Sequence, residues 1–306
     1  MVPTPPKAAL RLVEERWCLF IAPSSTSSAW TEAVTTALRQ SGYVANSPVD
    51  YSKFGGEGPR RVIIVGAVTT NELALASHWV VVMPATSAVP FALAGTDFRY
   101  LIQYGRNASA LLAPLMDLPW DDTAVFAEAE LSGRSTVELL PDLWVPVPTS
   151  TAPLPDSKDA QAVAAAMSLY EIKPAPSHKV VEWPPEFFLT TLSKTVETID
   201  GKTIDLTGSP RPVVWGPHFH MPSGRWKLRI RFSIDENASR CAFSFEWGDL
   251  TSYSNLRTTP GAPGFYEVIL EHEWQTPSVA EMRISVTEGV FDGSLTFSGA
   301  SVEPAS

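Results

Sequence analysis

The chain has 306 residues and a mass of 33.3 kDa, a length that favours two domains. Hydrophobic residues make up 44% and charged residues 18%, which predicts a real hydrophobic core and excludes wholesale disorder. A net charge of −10 and a pI near 5.0 argue against general binding to a nucleic-acid backbone, and no apolar run approaches the ~20 residues of a membrane-spanning helix.

The N-terminal sequence does not resemble a secretory signal peptide. Residues 1–7 are rich in proline, and the first apolar stretch, residues 17–22, is short and follows two glutamates. We therefore expect a cytoplasmic protein by default. The surface of a phage-like particle is the alternative, because such a protein leaves the cell by lysis and needs no signal. Cys18 and Cys241 are too few for a disulfide framework and are expected to remain thiols.

Residues 1–140 alternate apolar runs with helix-like stretches. Continuous apolar runs at 17–22, 62–65 and 79–83 are typical of strands that are buried on both faces. Apolar residues recur at helical spacing after the first run and again over 98–116. Strands that alternate with helices predict a small α/β, Rossmann-like domain with a mostly parallel sheet of three or four strands.

Residues 141–185 contain nine prolines. Proline lacks an amide donor and restricts its own φ, so neither a helix nor a central strand tolerates this density. We predict a Pro-rich, semi-extended linker. Within it, residues 159–170 are rich in helix formers and could make one short helix.

Apolar and polar residues alternate from residue 186 to the end. The alternation is clear over 225–232, 241–248, 266–274 and 282–287, with Gly, Pro, Asn and Asp between these stretches. A period of two over several short strands predicts that residues 186–306 form an all-β domain folded as an antiparallel β-sandwich.

Two stretches of this region resemble galactose-binding-like jelly rolls. Residues 216–228 (GPHFHMPSGRWKL) are similar to a turn that leads from the outer face of these folds into a strand. Residues 282–286 (MRISV) and 293–302 (GSLTFSGASV) are similar to their final strand pair. The resemblance covers roughly residues 195–303 and implies a jelly-roll-like, carbohydrate-binding-module-like β-sandwich. Many members of that family bind carbohydrates, and others bind proteins or lipids, so the fold alone does not give the function.

Aromatic residues are the first candidates for a binding site. Sugar rings have apolar CH faces that stack on Trp and Tyr, and their hydroxyls need polar partners beside the stack. Alternation places Trp226, Trp247 and Trp274 on the apolar side of their strands, which predicts that they belong to the core. Trp215 and Tyr253 lie near turns and are expected to be exposed, where each could stack on a sugar.

His218 and His220 flank Phe219, so both are expected to face one side of a strand. Two histidines on one face could ligate a metal, but the sequence brings no third ligand to them. We interpret them as the polar edge of a binding surface. The predicted carbohydrate-binding patch is therefore Trp215, His218, His220 and Tyr253, with no catalytic residue, metal or cofactor.

A basic strand offers a second possible site. Arg225, Lys227, Arg229 and Arg231 alternate along one stretch and could contact an acidic polysaccharide or phosphate. The alternative, which we favour, is that they pair with glutamates of residues 267–273 on a neighbouring strand.

The sequence contains no nucleophile-elbow, zinc-protease or phosphate-loop motif. We therefore predict a non-catalytic protein whose C-terminal sandwich binds a polysaccharide or oligosaccharide, with a possible protein partner for the N-terminal domain and no nucleic acid. One alternative is a glycan-synthesis enzyme that uses a nucleotide sugar. The other is a structural or receptor-binding (adhesion) protein of a phage-like particle.

Overall fold

The computed structural model describes residues 16–22, 26–41, 43–46, 61–65, 76–83, 97–149, 157–170, 180–191 and 194–305. These residues form mostly β-structure, with a parallel sheet in the N-terminal half and two antiparallel sheets in the C-terminal half. No helix in this part of the chain is long and apolar enough to cross a membrane.

The N-terminal half contains seven strands and two α-helices in its described residues. They are β1 (Arg16–Ile21), α1 (Ser27–Gln40), β2 (Val44–Asn46), β3 (Arg61–Val65), β4 (His78–Met83), α2 (Phe98–Leu112), β5 (Thr123–Ala127), β6 (Thr136–Leu140) and β7 (Leu143–Pro146). The first five strands form one sheet in the order β2-β3-β1-β4-β5, and every neighbouring pair is parallel. The predicted small parallel sheet is present. It also includes β2 and β5, which the apolar runs do not mark because β2 is short and β5 is not continuously apolar.

Helices cover both faces of the parallel sheet. α1 packs Trp30 and Val34 against one face, where the β6–β7 hairpin also packs. On the other face, Leu101 and Ile102 of α2 belong to the same buried cluster as Phe20 of β1. Successive strand residues point to opposite faces, so a strand that is covered on both sides is apolar throughout.

The C-terminal half begins with one helix and continues as strands. The elements are α3 (Lys158–Met167), β8 (Val181–Trp183), β9 (Leu189–Thr190), β10 (Thr195–Thr198), β11 (Gly201–Asp205), β12 (Arg211–Met221), β13 (Gly224–Ile234), β14 (Phe243–Gly248), β15 (Tyr253–Thr258), β16 (Gly264–Trp274), β17 (Ser278–Val286) and β18 (Ser294–Pro304). The β12 sheet has the order β15-β14-β17-β12-β9. The β13 sheet has the order β10-β11-β18-β13-β16, and β8 pairs with β18.

The two antiparallel sheets form a β-sandwich because their inner faces share one core. Phe232 of the β13 sheet stacks on Phe245 of the β12 sheet, with ring centroids 5.2 Å apart. Trp247 meets Trp274 edge-on at 4.8 Å. Trp226, Trp247 and Trp274 are all buried, which confirms the core positions that alternation predicts.

The described parts of residues 141–185 differ from the predicted semi-extended linker. α3 confirms the predicted short helix and packs on α2, and β8 joins the sandwich through β18. Trp183, at the end of β8, is fully buried against Phe219 and Trp247. These segments are folded because an extended linker would leave the alanine-rich side of α3 and the Trp183 ring in water.

One cluster of buried apolar side chains runs from the α2 side of the parallel sheet, through α2 and α3, into the sandwich. Gly105 of α2 is a point of close approach, since an added Cβ would lie 3.1 Å from the Phe219 ring of β12. The helices therefore pack directly on one edge of the β12 sheet.

Candidate functional site

A patch of charged and aromatic side chains lies on the outer face of the β12 sheet. Met282 and Ile284 of β17 point inward and are fully buried, so the alternate positions face outward. The register places Arg283 between Trp215 on one neighbouring strand and Glu246 on the other. We call the following residues the outer-face patch: Trp215, His218, Glu246, Tyr253, Glu281 and Arg283.

Glu281 is the centre of the outer-face patch and is only 6% exposed. Its carboxylate accepts a hydrogen bond from the Tyr253 hydroxyl at 2.9 Å, lies 3.2 Å from His218 Nε2 and pairs with the Arg283 guanidinium. Burial by itself raises the pKa of this carboxyl, but the bonds from Arg283, Tyr253 and His218 outweigh burial and lower the pKa. The carboxylate is therefore ionised at neutral pH.

Tyr253 is held in place by contacts on two sides. Burial, followed by the hydrogen bond to Glu281, raises the pKa of the Tyr253 hydroxyl to about 12, so the hydroxyl remains a donor at neutral pH. The Arg283 guanidinium carbon lies 4.9 Å from the centroid of the ring, which is a cation–π contact. Gly248 is opposite Tyr253, and a Cβ there would lie 2.1 Å from the Ser252 carbonyl oxygen, so this turn requires glycine.

Trp215 provides the aromatic surface at the other side of the patch. It is half-buried on β12, opposite Arg283 of β17 and opposite Leu189 of β9, which is 44% exposed. On the side of Arg283 away from Trp215, its guanidinium lies 3.8 Å from the Glu246 carboxylate of β14. An aromatic ring beside convergent charged groups can bind a ligand that has both apolar faces and hydroxyls.

His218 reaches Glu281 from an irregular part of β12. The register of β12 with β17 shifts between Pro217 and His220. Within this shift His218 has a φ of +66°, which is uncommon for a residue other than glycine. Bulges of this kind re-aim a side chain, and here the re-aimed side chain contacts the buried carboxylate.

His220 lies on β12 next to α2 and the turn that follows α3. Its amide donates to Ser109 Oγ at 2.9 Å, and its carbonyl accepts from the Tyr170 hydroxyl at 2.6 Å. Its Nδ1 is buried and has no hydrogen-bond partner among the residues that the structure describes. Burial lowers the pKa of the His220 imidazole, which favours the neutral ring. The binding role predicted for this side chain stays a prediction.

The structure brings three of the four predicted residues to one patch, and adds three that the sequence does not single out: Glu246, Glu281 and Arg283. His218 and Tyr253 both contact Glu281, and Trp215 lies opposite Arg283. The signal that could have found Glu281 and Arg283 is charge at alternate positions of the otherwise apolar strand β17. A charged side chain in the middle of a sheet needs a partner, and here the two charges partner each other.

The positive charges of the basic strand β13 are paired with glutamates on other strands of the same sheet. Arg225 lies 2.7 Å from Glu271, and Arg229 lies 3.2 Å from Glu267 and 3.1 Å from Glu303. Lys227 also pairs with Glu271 and Glu303 of the neighbouring strands, and Arg231 pairs with Glu182 of β8, the strand beside β18. The structural interpretation of this strand is confirmed, and its charges are engaged in cross-strand pairs.

A carboxylate lies at the start of α1, where a nucleotide phosphate would bind in many α/β proteins. Glu128, which follows β5, accepts hydrogen bonds from Thr26 Oγ1 at 3.2 Å and from Trp30 Nε1 at 3.3 Å. A phosphate at this end of the helix would meet a like charge, which disfavours the nucleotide-sugar alternative.

Within the described residues, no group of three or more His, Cys, Asp or Glu side chains is arranged to hold a metal ion. Cys18 is buried in β1 and Cys241 is half-buried before β14, and no disulfide joins them.

No protein-family model and no curated protein matches the chain. Among solved structures it is similar to the xylan-binding module CBM15, with 10% identity over 42% of this chain and 98% of that chain, and a TM-score of 0.33. It is also similar to the CBM36-1 domain of a multidomain xylanase from the hindgut metagenome of Trinervitermes trinervoides, with 13% identity, 42% and 99% coverage and a TM-score of 0.31.

A third similar structure is that of TmCBM61 in complex with β-1,4-galactotriose, with 11% identity, 42% and 81% coverage and a TM-score of 0.28. At such low identities and TM-scores the likeness does not transfer a function. The C-terminal region of this chain resembles carbohydrate-binding modules in being a β-sandwich, a fold that its own two antiparallel sheets establish.

Proposed function

We propose that the protein binds a neutral polysaccharide or oligosaccharide on the outer face of the β12 sheet, without cleaving it. The observation that carries this proposal is the outer-face patch, in which Trp215 lies beside the Arg283–Glu281 ion pair. The indole offers a flat surface for the apolar face of a sugar, and the charged groups beside it can bind the hydroxyls.

The extent of the patch supports a ligand of several sugar units. It runs from β12 across β17 and β14 to β15, which is three strand spacings or roughly 14 Å. The patch lies on a sheet face, and its residues come from four neighbouring strands. Such a surface suits the side of a chain better than a single terminal sugar.

The charge of the patch supports a neutral ligand. Arg283 is flanked by two carboxylates, Glu281 and Glu246, so its positive charge is compensated. An anionic sugar would have to compete with both carboxylates for this one guanidinium.

Glu281 is poorly suited to act as the general acid of glycoside hydrolysis. A general acid in such an enzyme needs a raised pKa, so that it holds a proton near neutral pH. Hydrogen bonds instead lower the pKa of Glu281, which therefore has no proton to donate. This supports binding without cleavage.

The test is a screen of the full chain against neutral and acidic glycans, followed by titration of the best ligand. Trp215→Ala should weaken binding by roughly 1–3 kcal/mol, the usual cost of truncating an interface aromatic residue. Trp144→Ala is the matched control, because Trp144 is 58% exposed on β7, far from the patch in the chain. If both variants bind as the wild type does, the outer-face patch is not the binding site.

A further inference from the structure

We infer that Arg106, Ser109 and Tyr170, which lie outside the sandwich, are positioning residues for the outer-face patch. They hold the irregular part of β12 that presents His218 to Glu281. The inference rests on the proposed function, because it assigns these residues a role in ligand binding at that patch.

β12 has an incomplete strand neighbour on one side. In the described part of the chain, β9 pairs with β12 only at Val214 and Trp215. The following residues, up to Met221, would therefore leave backbone groups unpaired along this edge. Unpaired backbone groups are costly when apolar surface covers them, so another element has to bind them.

Side chains from α2 and from the turn that follows α3 bind these backbone groups. Arg106 Nε donates to the Pro217 carbonyl at 2.7 Å. Ser109 Oγ accepts from the His220 amide at 2.9 Å, and the Tyr170 hydroxyl donates to the His220 carbonyl at 2.6 Å. The three side chains thus form hydrogen bonds to backbone groups that a neighbouring strand would otherwise bind.

The bonded groups lie on both sides of His218. Pro217 precedes it and His220 follows two residues later, so the backbone of His218 is restrained at both ends. Its φ of +66° is unfavourable in a residue that has a Cβ, so this conformation needs support from its surroundings.

The restraint bears directly on the patch because His218 is one of the contacts of Glu281. If the Pro217 carbonyl loses its donor, the backbone can relax out of the left-handed conformation, and the imidazole then moves away from the carboxylate. Arg106 contacts none of the patch side chains in the hydrogen bonds and ion pairs described, so its effect has to pass through the backbone of β12.

The experiment combines spectroscopy with ligand titration on the full chain. The protein has five histidines, so labelling them with ¹⁵N gives a spectrum simple enough to assign His218 from the signal that His218→Gln removes. Arg106→Met should shift the His218 ring signals and weaken binding of the screened glycan by roughly tenfold, the effect of losing one charge-assisted hydrogen bond.

Two further variants separate positioning from general packing. Arg106→Lys keeps a donor of similar reach and should restore part of the affinity and of the His218 signal. Arg99→Met removes a guanidinium from the exposed side of the same helix and should change neither. Should Arg106→Met fail to fold, the smaller change Ser109→Ala is measured instead, and it should likewise shift the His218 signals and weaken glycan binding.

Failure of this inference and failure of the proposed function give different results. If the wild type binds a glycan but Arg106→Met leaves both the affinity and the His218 signals unchanged, the inference is wrong and the proposed function stands. If no glycan binds the wild type, the proposed function is wrong, and the His218 signals alone then decide: a shift supports positioning, and an unchanged spectrum overturns it.

Discussion

Glu281 shows how a nearly buried carboxylate can keep its charge. Removing a carboxylate from water costs several kcal/mol unless its oxygens find donors. The donors come from three different strands, as His218, Tyr253 and Arg283. Each donor would lose an ionised acceptor if the charge were lost, so the arrangement of the patch depends on this one side chain.

Glu281→Gln should lower the free energy of unfolding by about 1–3 kcal/mol at pH 7, because a donor group then faces donors. The folded-state pKa of Glu281 is lowered, so its contribution is present above the unfolded pKa of about 4.3 and is lost as pH falls through the lower folded value. The difference between wild type and variant should therefore shrink as pH falls below about 4. Urea unfolding at pH 7, 5 and 3 measures it.

Glu273→Gln is the control for this prediction. Glu273 is exposed on β16, and its replacement should change the free energy of unfolding by no more than about 0.5 kcal/mol at any of these pH values. A Glu281→Gln effect that is small, or that stays constant from pH 7 to 3, would show that the carboxylate is not ionised and bonded as described.

At this scale, the sequence predicts which residues share a face but not what covers them. Alternation correctly assigned Trp226, Trp247 and Trp274 to the core, because a period of two is a property of the local backbone. It could not show that Glu281 would be covered by side chains of other strands. Nor could it show that His220 would lie beside Ser109, which is 111 residues away in the chain.

At the scale of elements, the two faces of β13 contribute unequally to the free energy of unfolding. Trp226 is buried on the inner face, and its Nε1 donates to the Pro222 carbonyl at 3.1 Å. Trp226→Ala should cost about 3–5 kcal/mol of unfolding free energy, as a large-to-small change in a core. The side chain of the neighbouring Arg225 is 60% exposed and pairs with Glu271. Arg225→Ala should therefore lower the free energy of unfolding by less than about 1 kcal/mol.

Denaturant unfolding of both variants checks this contrast. Equal losses would mean that the outer ion pairs support the β13 sheet as strongly as its core does. A loss for Trp226→Ala below about 1 kcal/mol would mean that the indole is not packed as described.

Strands are predictable where the alternation of apolar and polar residues repeats several times. The long alternating stretches gave β13 and β16 clearly, because each carries several repeats of the pattern. β8 has only three residues, lies among prolines, and owes its strand character to pairing with β18. A strand that is defined by its partner has no local signal, so the sequence predicts this segment to be part of a linker.

At the scale of the molecule, the shared core modifies what the proline-rich stretch predicts. The sequence predicts that proteases cut first between residues 141 and 185, leaving two resistant pieces. Because α2 and α3 contribute to one core with the sandwich, we expect the two pieces to remain associated after cleavage.

Limited proteolysis followed by size-exclusion chromatography tests this prediction. Two fragments on a denaturing gel that elute together, at the position of the intact chain, are the expected result. Fragments that elute separately would show that the halves hold together only through the chain, and the absence of any cut in this stretch would contradict the predicted boundary.

The binding of the β12 edge by α2 and by the turn after α3 has a practical consequence for anyone who isolates the sandwich. A fragment that begins at residue 186 lacks Arg106, Ser109 and Tyr170, so the carbonyls and amides that they bind would face solvent or another molecule. A bare strand edge beside exposed apolar surface recruits strands from other chains, which leads to self-association. If a truncated sandwich aggregates or fails to bind sugar, the cause would therefore be the loss of the side chains that cover this edge. Sugar binding should be measured on the full chain.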